Sequence, residues 1–167
     1  MHTSYGSQSI SKIESNVSVY AGWKNYPSGN IAVKGIFFDE APNVNDSSLI
    51  NYMSTVAGYA RNKSLNYIVF NPGALTTAAG YYNLANLIIN KEGLYSSYSE
   101  SGSIGVIPSQ DRAQSAIVLH DTPPTVNITA LASTMVKDGI GAFYATQDCC
   151  YNVINGTVLN NTAAAFK

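Results

Sequence analysis

Asp39 and Glu40 stand side by side in GIFFDEAP (Gly35 to Pro42), directly after an apolar run, in a chain whose 167 residues include only ten acids. One reading makes them a helix cap or a solvated loop. The next helix, however, begins near Asn45 to Ser47, which bring their own capping groups, so neither acid is needed there. The other reading is chemical. Neighbours on a strand point to opposite faces, but past the last strand residue that constraint relaxes and both acids can line one mouth. Paired acids in a nearly neutral, tyrosine-rich chain suggest glycoside hydrolysis, in which one carboxyl protonates the leaving oxygen while another attacks or activates water. Twelve tyrosines and Trp23 supply apolar faces and hydroxyls suited to sugar rings. For most of the twelve, ordinary packing is the simpler explanation.

Other chemistries fit less well. His2 and His120 are the only histidines and show no metal-ligand spacing, so neither a metal nor a cofactor is expected. His120, Asp121 and a serine could imitate a hydrolase triad, but no G-x-S-x-G elbow is present. A strand-end histidine serves equally well as a satisfied structural group. Cys149 and Cys150 are neighbours, with Cα atoms about 3.8 Å apart, too close for an ordinary disulfide. Free thiols are expected.

The formal net charge is −1 and the nine basic residues are scattered, which argues against nucleic acid and anionic membranes as partners. No apolar run approaches the roughly 20 residues of a membrane span. The start, MHTSYGSQS, lacks the regions of a signal peptide. Six N-x-S/T sequons, at Asn16, Asn45, Asn62, Asn127, Asn155 and Asn160, point instead to a secreted ancestry. The alternative is that an Asn- and Ser-rich chain makes sequons by accident.

The elements that must hold these residues alternate between strand and helix. Strands are expected at Ile31 to Phe38, Tyr67 to Phe70, Asn86 to Asn90, Ala116 to Leu119 and Gly141 to Ala145. Helices are expected at Ser9 to Tyr20, Asn45 to Asn62 and Val126 to Lys137, the last closed by Gly139. HTSYG (His2 to Gly6) reads as the tail of a strand, and SGSIG (Ser101 to Gly105) as a flexible loop. Strands apolar on both faces and separated by helices call for a parallel sheet covered by helices, either doubly wound or a (β/α) barrel. In both, polar residues gather where strands end, here Asp39-Glu40, Asn71, Lys91-Glu92, His120-Asp121 and Thr146, and ligands bind there. One domain over residues 1–167 is expected.

Five segments resemble the spherulin-4 (spherulation-specific) family of fungal and slime-mould proteins: YAGW (Tyr20 to Trp23), GIFFDEAP, YIVFNPGA (Tyr67 to Ala74), IVLHD (Ile117 to Asp121) and GIGAFYAT (Gly139 to Thr146). They recur in order across almost the whole chain. The resemblance implies a (β/α)8 barrel and, as in glycoside hydrolase family 135, a secreted endo-α-1,4-N-acetylgalactosaminidase acting on galactosamine-containing exopolysaccharide. It places the family's acidic pair on Asp39 and Glu40 and a third glutamate on Glu92. Glu40 or Glu92 is then the general acid, with the remaining carboxylates as nucleophile, base or charge stabiliser. Asn71, His120, Asp121, Tyr144 and Tyr5 are the implied sugar contacts.

Family members carry about two further βα units before HTSYG. The chain is therefore expected to be an incomplete barrel lacking its first two βα units and most of strand 3, with the secretion signal lost alongside them. The rival reading is a non-catalytic carbohydrate-binding or wall- and spore-associated protein on the same scaffold. A third is an inert remnant.

Overall fold

A computed structural model of the chain describes residues 1–149 and 156–165. Cys150 and Asn155 lie outside the described residues. Five strands form one sheet in the order β1-β2-β3-β4-β5. They are β1 (Gly35–Asp39), β2 (Tyr67–Asn71), β3 (Leu87–Leu94), β4 (Ser115–His120) and β5 (Ala142–Ala145). The pairs β1–β2, β2–β3 and β4–β5 are parallel. The order advances one strand at a time, without the reversal that defines a doubly wound sheet. It is an open α/β sheet; these five strands do not close into a barrel.

The helices are α1 (Ile10–Gly22), α2 (Ser47–Asn62), α3 (Ala79–Tyr82), α4 (Ile128–Lys137) and α5 (Gly156–Ala165). The sequence signals place the long ones. Asp46 caps α2, its side chain accepting from the backbone N–H groups of Ser48 and Leu49, and Asn127 caps α4 through the N–H of Ala130. Gly139 ends α4 at φ +78°, where its own N–H reaches the Val136 carbonyl and the N–H of Ile140 reaches that of Met135. That pair of bonds is a Schellman closure, which a residue with no Cβ adopts without strain.

The chain divides into two compact units. The first comprises Met1–Pro72 with Thr76–Ile88, the second Gly73–Leu75 with Ile89–Lys167. In the first, alternation sends Ile36, Phe38, Ile68 and Phe70 to one face. There they are buried with Ile13 and Val17 of α1 and Met53, Val56, Ala57 and Ala60 of α2. In the second, Ile117, Leu119 and Ala145 are buried with Ile128 and Met135 of α4. The opposite faces are not covered as expected: Phe37 and Tyr67 are exposed, and Val118 and Tyr144 are half-buried.

Several boundaries differ from expectation. Ile31 to Lys34 lies outside β1, because Asn30 turns the chain by accepting from the N–H of Ala32. β3 runs four residues past Asn90, so Lys91 and Glu92 lie inside a strand and not beyond its end. No α-helix joins β3 to β4. The link is made of short turns, and the SGSIG loop belongs to a π-helical turn, Glu100–Ile104, capped by the Ser99 side chain and anchored by buried Ser103 and Ile104. Neither α3 nor α5 is visible in the hydrophobic periodicity.

Candidate functional site

The first unit gathers its polar side chains at the carboxyl end of β1. Asp39 is the last residue of β1 and the register partner of Asn71 on β2, so the two share a face. The Asn71 amide donates to Asp39 Oδ1 at 3.0 Å and fixes the orientation of that carboxylate. Asn71 itself is buried.

Glu40, the next residue, leaves the strand conformation. Its φ is +52°, the left-handed region that a residue with a Cβ enters only at a cost. Ala41 then donates to the carbonyl of Asn71, the residue already opposite Asp39, so Glu40 is looped out of the ladder. The displaced Glu40 carbonyl accepts instead from the Thr3 hydroxyl at 2.7 Å and the Tyr5 N–H at 2.7 Å. The kink breaks the strand alternation that would separate the two acids. Both reach one imidazole, with His2 Nδ1 at 3.4 Å from Asp39 Oδ2 and 3.5 Å from Glu40 Oε2. The acids are about one-third exposed, at 32% and 39%, open to a substrate yet held by the protein.

His2 and Thr3 belong to HTSYG, which pairs like a strand tail only at its start; Ser4–Gly6 turns as a 3-10 helix instead. His2 forms a parallel bridge with Asp39, while the Asp39 N–H donates to Met1 and the Thr3 N–H to Asp39. Neither residue was expected in the site. The signal was available: a strand tail running parallel beside GIFFDE must set its polar residues next to Asp39-Glu40. Tyr5 is exposed, with φ +53°, and its backbone touches Glu40.

The second unit repeats the device at the end of β4. Asp121, one residue past the strand, has φ +51°. The Thr122 N–H donates to the Thr146 carbonyl, and the Thr146 N–H donates to the Leu119 carbonyl. The Asp121 carboxylate lies 2.5 Å from His120 Nδ1. Tyr144 is the register partner of Val118, two residues before His120 on the same face. On β3, Lys91 Nζ donates to Ser97 Oγ at 2.9 Å. Alternation sets Glu92 opposite Lys91 and on the side of Asn90, whose amide donates to Ser115 Oγ at 2.8 Å.

Chemically, the first unit offers two adjacent carboxylates with a histidine between them and a buried amide behind one, in reach of solvent. Such a set can donate and accept protons at a substrate oxygen. Among the described residues no group of three or more His, Cys, Asp or Glu side chains is arranged to hold a metal ion.

A family model described as Spherulin4, spherulation-specific family 4, matches residues 1–165. The chain belongs to that family. A solved structure also resembles this spherulation-specific chain, the crystal structure of Aspergillus clavatus Sph3 in complex with GalNAc. It has a TM-score of 0.87 and 25% identity, covering 100% of this chain and 70% of that one. No curated protein matches the chain. No described helix is long and apolar enough to cross a membrane.

Proposed function

We propose that the protein is a glycoside hydrolase that cuts within α-1,4-linked galactosamine or N-acetylgalactosamine polysaccharide by carboxylate acid–base chemistry. The observation that carries this reading is the kinked end of β1, which turns Asp39 and Glu40 toward one histidine although strand alternation would part them. The likeness to Sph3, solved with GalNAc, supports the sugar class. Glu40 is read as a catalytic acid and Asp39 as its partner carboxylate. Glu92 is the third carboxylate by family resemblance, and Asn71, Tyr5, His120, Asp121 and Tyr144 are sugar contacts. The parallel sheet is read as barrel-type, and the protein as exported and N-glycosylated.

A non-catalytic sugar binder on the same scaffold is the second reading, since partly exposed acids and tyrosines also serve binding alone. Glu40→Gln separates the two. Loss of a general acid lowers turnover by about 10²- to 10⁴-fold while sugar binding persists. A wild-type chain that binds the polymer and releases no reducing ends, with Glu40→Gln binding unchanged, makes the protein a binder.

A further inference from the structure

Glu40 is held in a conformation that its own side chain disfavours, so something outside β1 must hold it there. The side chain that holds it belongs to a single buried residue. Thr3 is fully buried, and each of its polar groups is bonded. Its N–H donates to the Asp39 carbonyl at 2.8 Å, and its carbonyl accepts from the N–H groups of Gly6 and Gln8, each at 3.1 Å. Its hydroxyl donates to the Glu40 carbonyl at 2.7 Å. With the Tyr5 N–H, that hydroxyl fills both lone pairs of the Glu40 carbonyl and pins the peptide between Glu40 and Ala41. The Tyr5 donor is backbone, which nearly any residue supplies. The Thr3 hydroxyl is a property of this side chain.

We infer that Thr3 is a positioning residue for Glu40: it locks the left-handed turn that sets the Glu40 carboxylate beside Asp39 and His2. Thr3 touches no substrate and acts only through the Glu40 backbone. A valine in its place keeps the shape that fills the buried site and removes the hydroxyl. The Glu40 carbonyl then keeps one donor of two, and the turn is free to relax toward the strand conformation, which swings the carboxylate away. The inference rests on the reading of Glu40 as a catalytic acid, so the test needs one readout that is independent of turnover.

The experiment compares wild type, Thr3→Val and Thr3→Ser in the full chain by amide hydrogen exchange and by steady-state kinetics on a galactosamine polymer. The two amides that report the turn are Tyr5 N–H, bonded to the Glu40 carbonyl, and Ala41 N–H, bonded to the Asn71 carbonyl. Thr3→Val is expected to speed exchange at both by about tenfold, the effect of losing one such bond. It should also lower kcat at least about tenfold with KM nearly unchanged, because sub-ångström placement of a catalytic group acts on the reacting step. Thr3→Ser should restore both, and amides in α2 should exchange as in wild type. Unchanged exchange at Tyr5 and Ala41 in Thr3→Val overturns the inference. So does faster exchange with unchanged kcat in an active enzyme. A wild type that turns over nothing refutes the hydrolase reading instead, and exchange alone then decides whether Thr3 holds the turn.

Discussion

Replacing Glu40 by glycine should give a more stable protein than replacing it by alanine, the reverse of what holds inside a strand. At φ +52° a residue with a Cβ carries about 1–2 kcal/mol of backbone strain that glycine lacks. Glycine gives back about 0.5–1 kcal/mol because its unfolded chain has more freedom. The difference leaves Glu40→Gly ahead by about 0.5–1 kcal/mol. Both variants lose the same carboxylate and its contact with His2, so those losses cancel in the comparison. For a chain of this size, about 2–4 °C of melting temperature corresponds to each kcal/mol, so the expected gap is about 1–4 °C. Thermal melts of the two variants under one buffer condition measure it, with urea titrations as a second route. Asp39, inside β1, is the control, where the alanine variant should be the more stable. Asp121, at φ +51°, should repeat the Glu40 pattern in the second unit. If Glu40→Ala equals or exceeds Glu40→Gly, the left-handed turn at the end of β1 is not what brings the two acids together.

Three further outcomes follow from local geometry. A Cβ added to Gly35 would stand 2.0 Å from the backbone oxygen of Tyr67, so Gly35→Ala should cost at least about 3 kcal/mol in a denaturant melt; Gly139→Ala, which meets open space at φ +78°, should cost only about 1 kcal/mol. Among the described residues the Tyr98 hydroxyl is buried without a hydrogen-bond partner, and burial, aided by Glu100, Asp138 and Tyr95, pushes its pKa up to about 12. The folded state therefore keeps that proton where the unfolded chain has lost it, and stability falls as pH rises from 10 to about 12. Tyr98→Phe should melt no lower than wild type at pH 8, and its advantage should widen at pH 11. Asp46 is held below the ordinary carboxylate value of 3.8 by the Ser48 hydroxyl and then by the N–H groups of Leu49 and Ser48. Its contribution is present above that value and is lost as pH falls through the lower folded one. Asp46→Ala should therefore melt below wild type at neutral pH, with the gap closing under acid.

Much of this was legible in the residues. Continuous apolar runs located the cores of β1, β2, β4 and β5, and the Asp46 and Gly139 caps marked helix ends, because those signals act within a few residues; the sequence started α4 at Val126, two residues before its structural start behind the Asn127 cap. The acidic pair was legible for the same reason, as a local violation of an apolar pattern. The turn at Glu40 was not, since its left-handed backbone depends on donors from Thr3 and Tyr5, 37 and 35 residues earlier in the numbering. His2 carries no local signal of its place in the site, because its partners lie across a strand pairing and not in its own segment. The extra length of β3 has no apolar signature, because Lys91, Glu92 and Gly93 break the run while the backbone remains extended. The π-helical turn at Glu100–Ile104 has no periodic signature in five residues.

The most direct test of sugar cleavage at the end of β1 is the release of new reducing ends from an α-1,4-galactosamine polymer by the 167-residue chain, with product lengths resolved by mass spectrometry. The account predicts a spread of internal-cleavage oligosaccharides from wild type and a near-complete loss with Glu40→Gln at undiminished polymer binding. Polymer that is bound but left uncut by wild type, or cut equally well by Glu40→Gln, would contradict it.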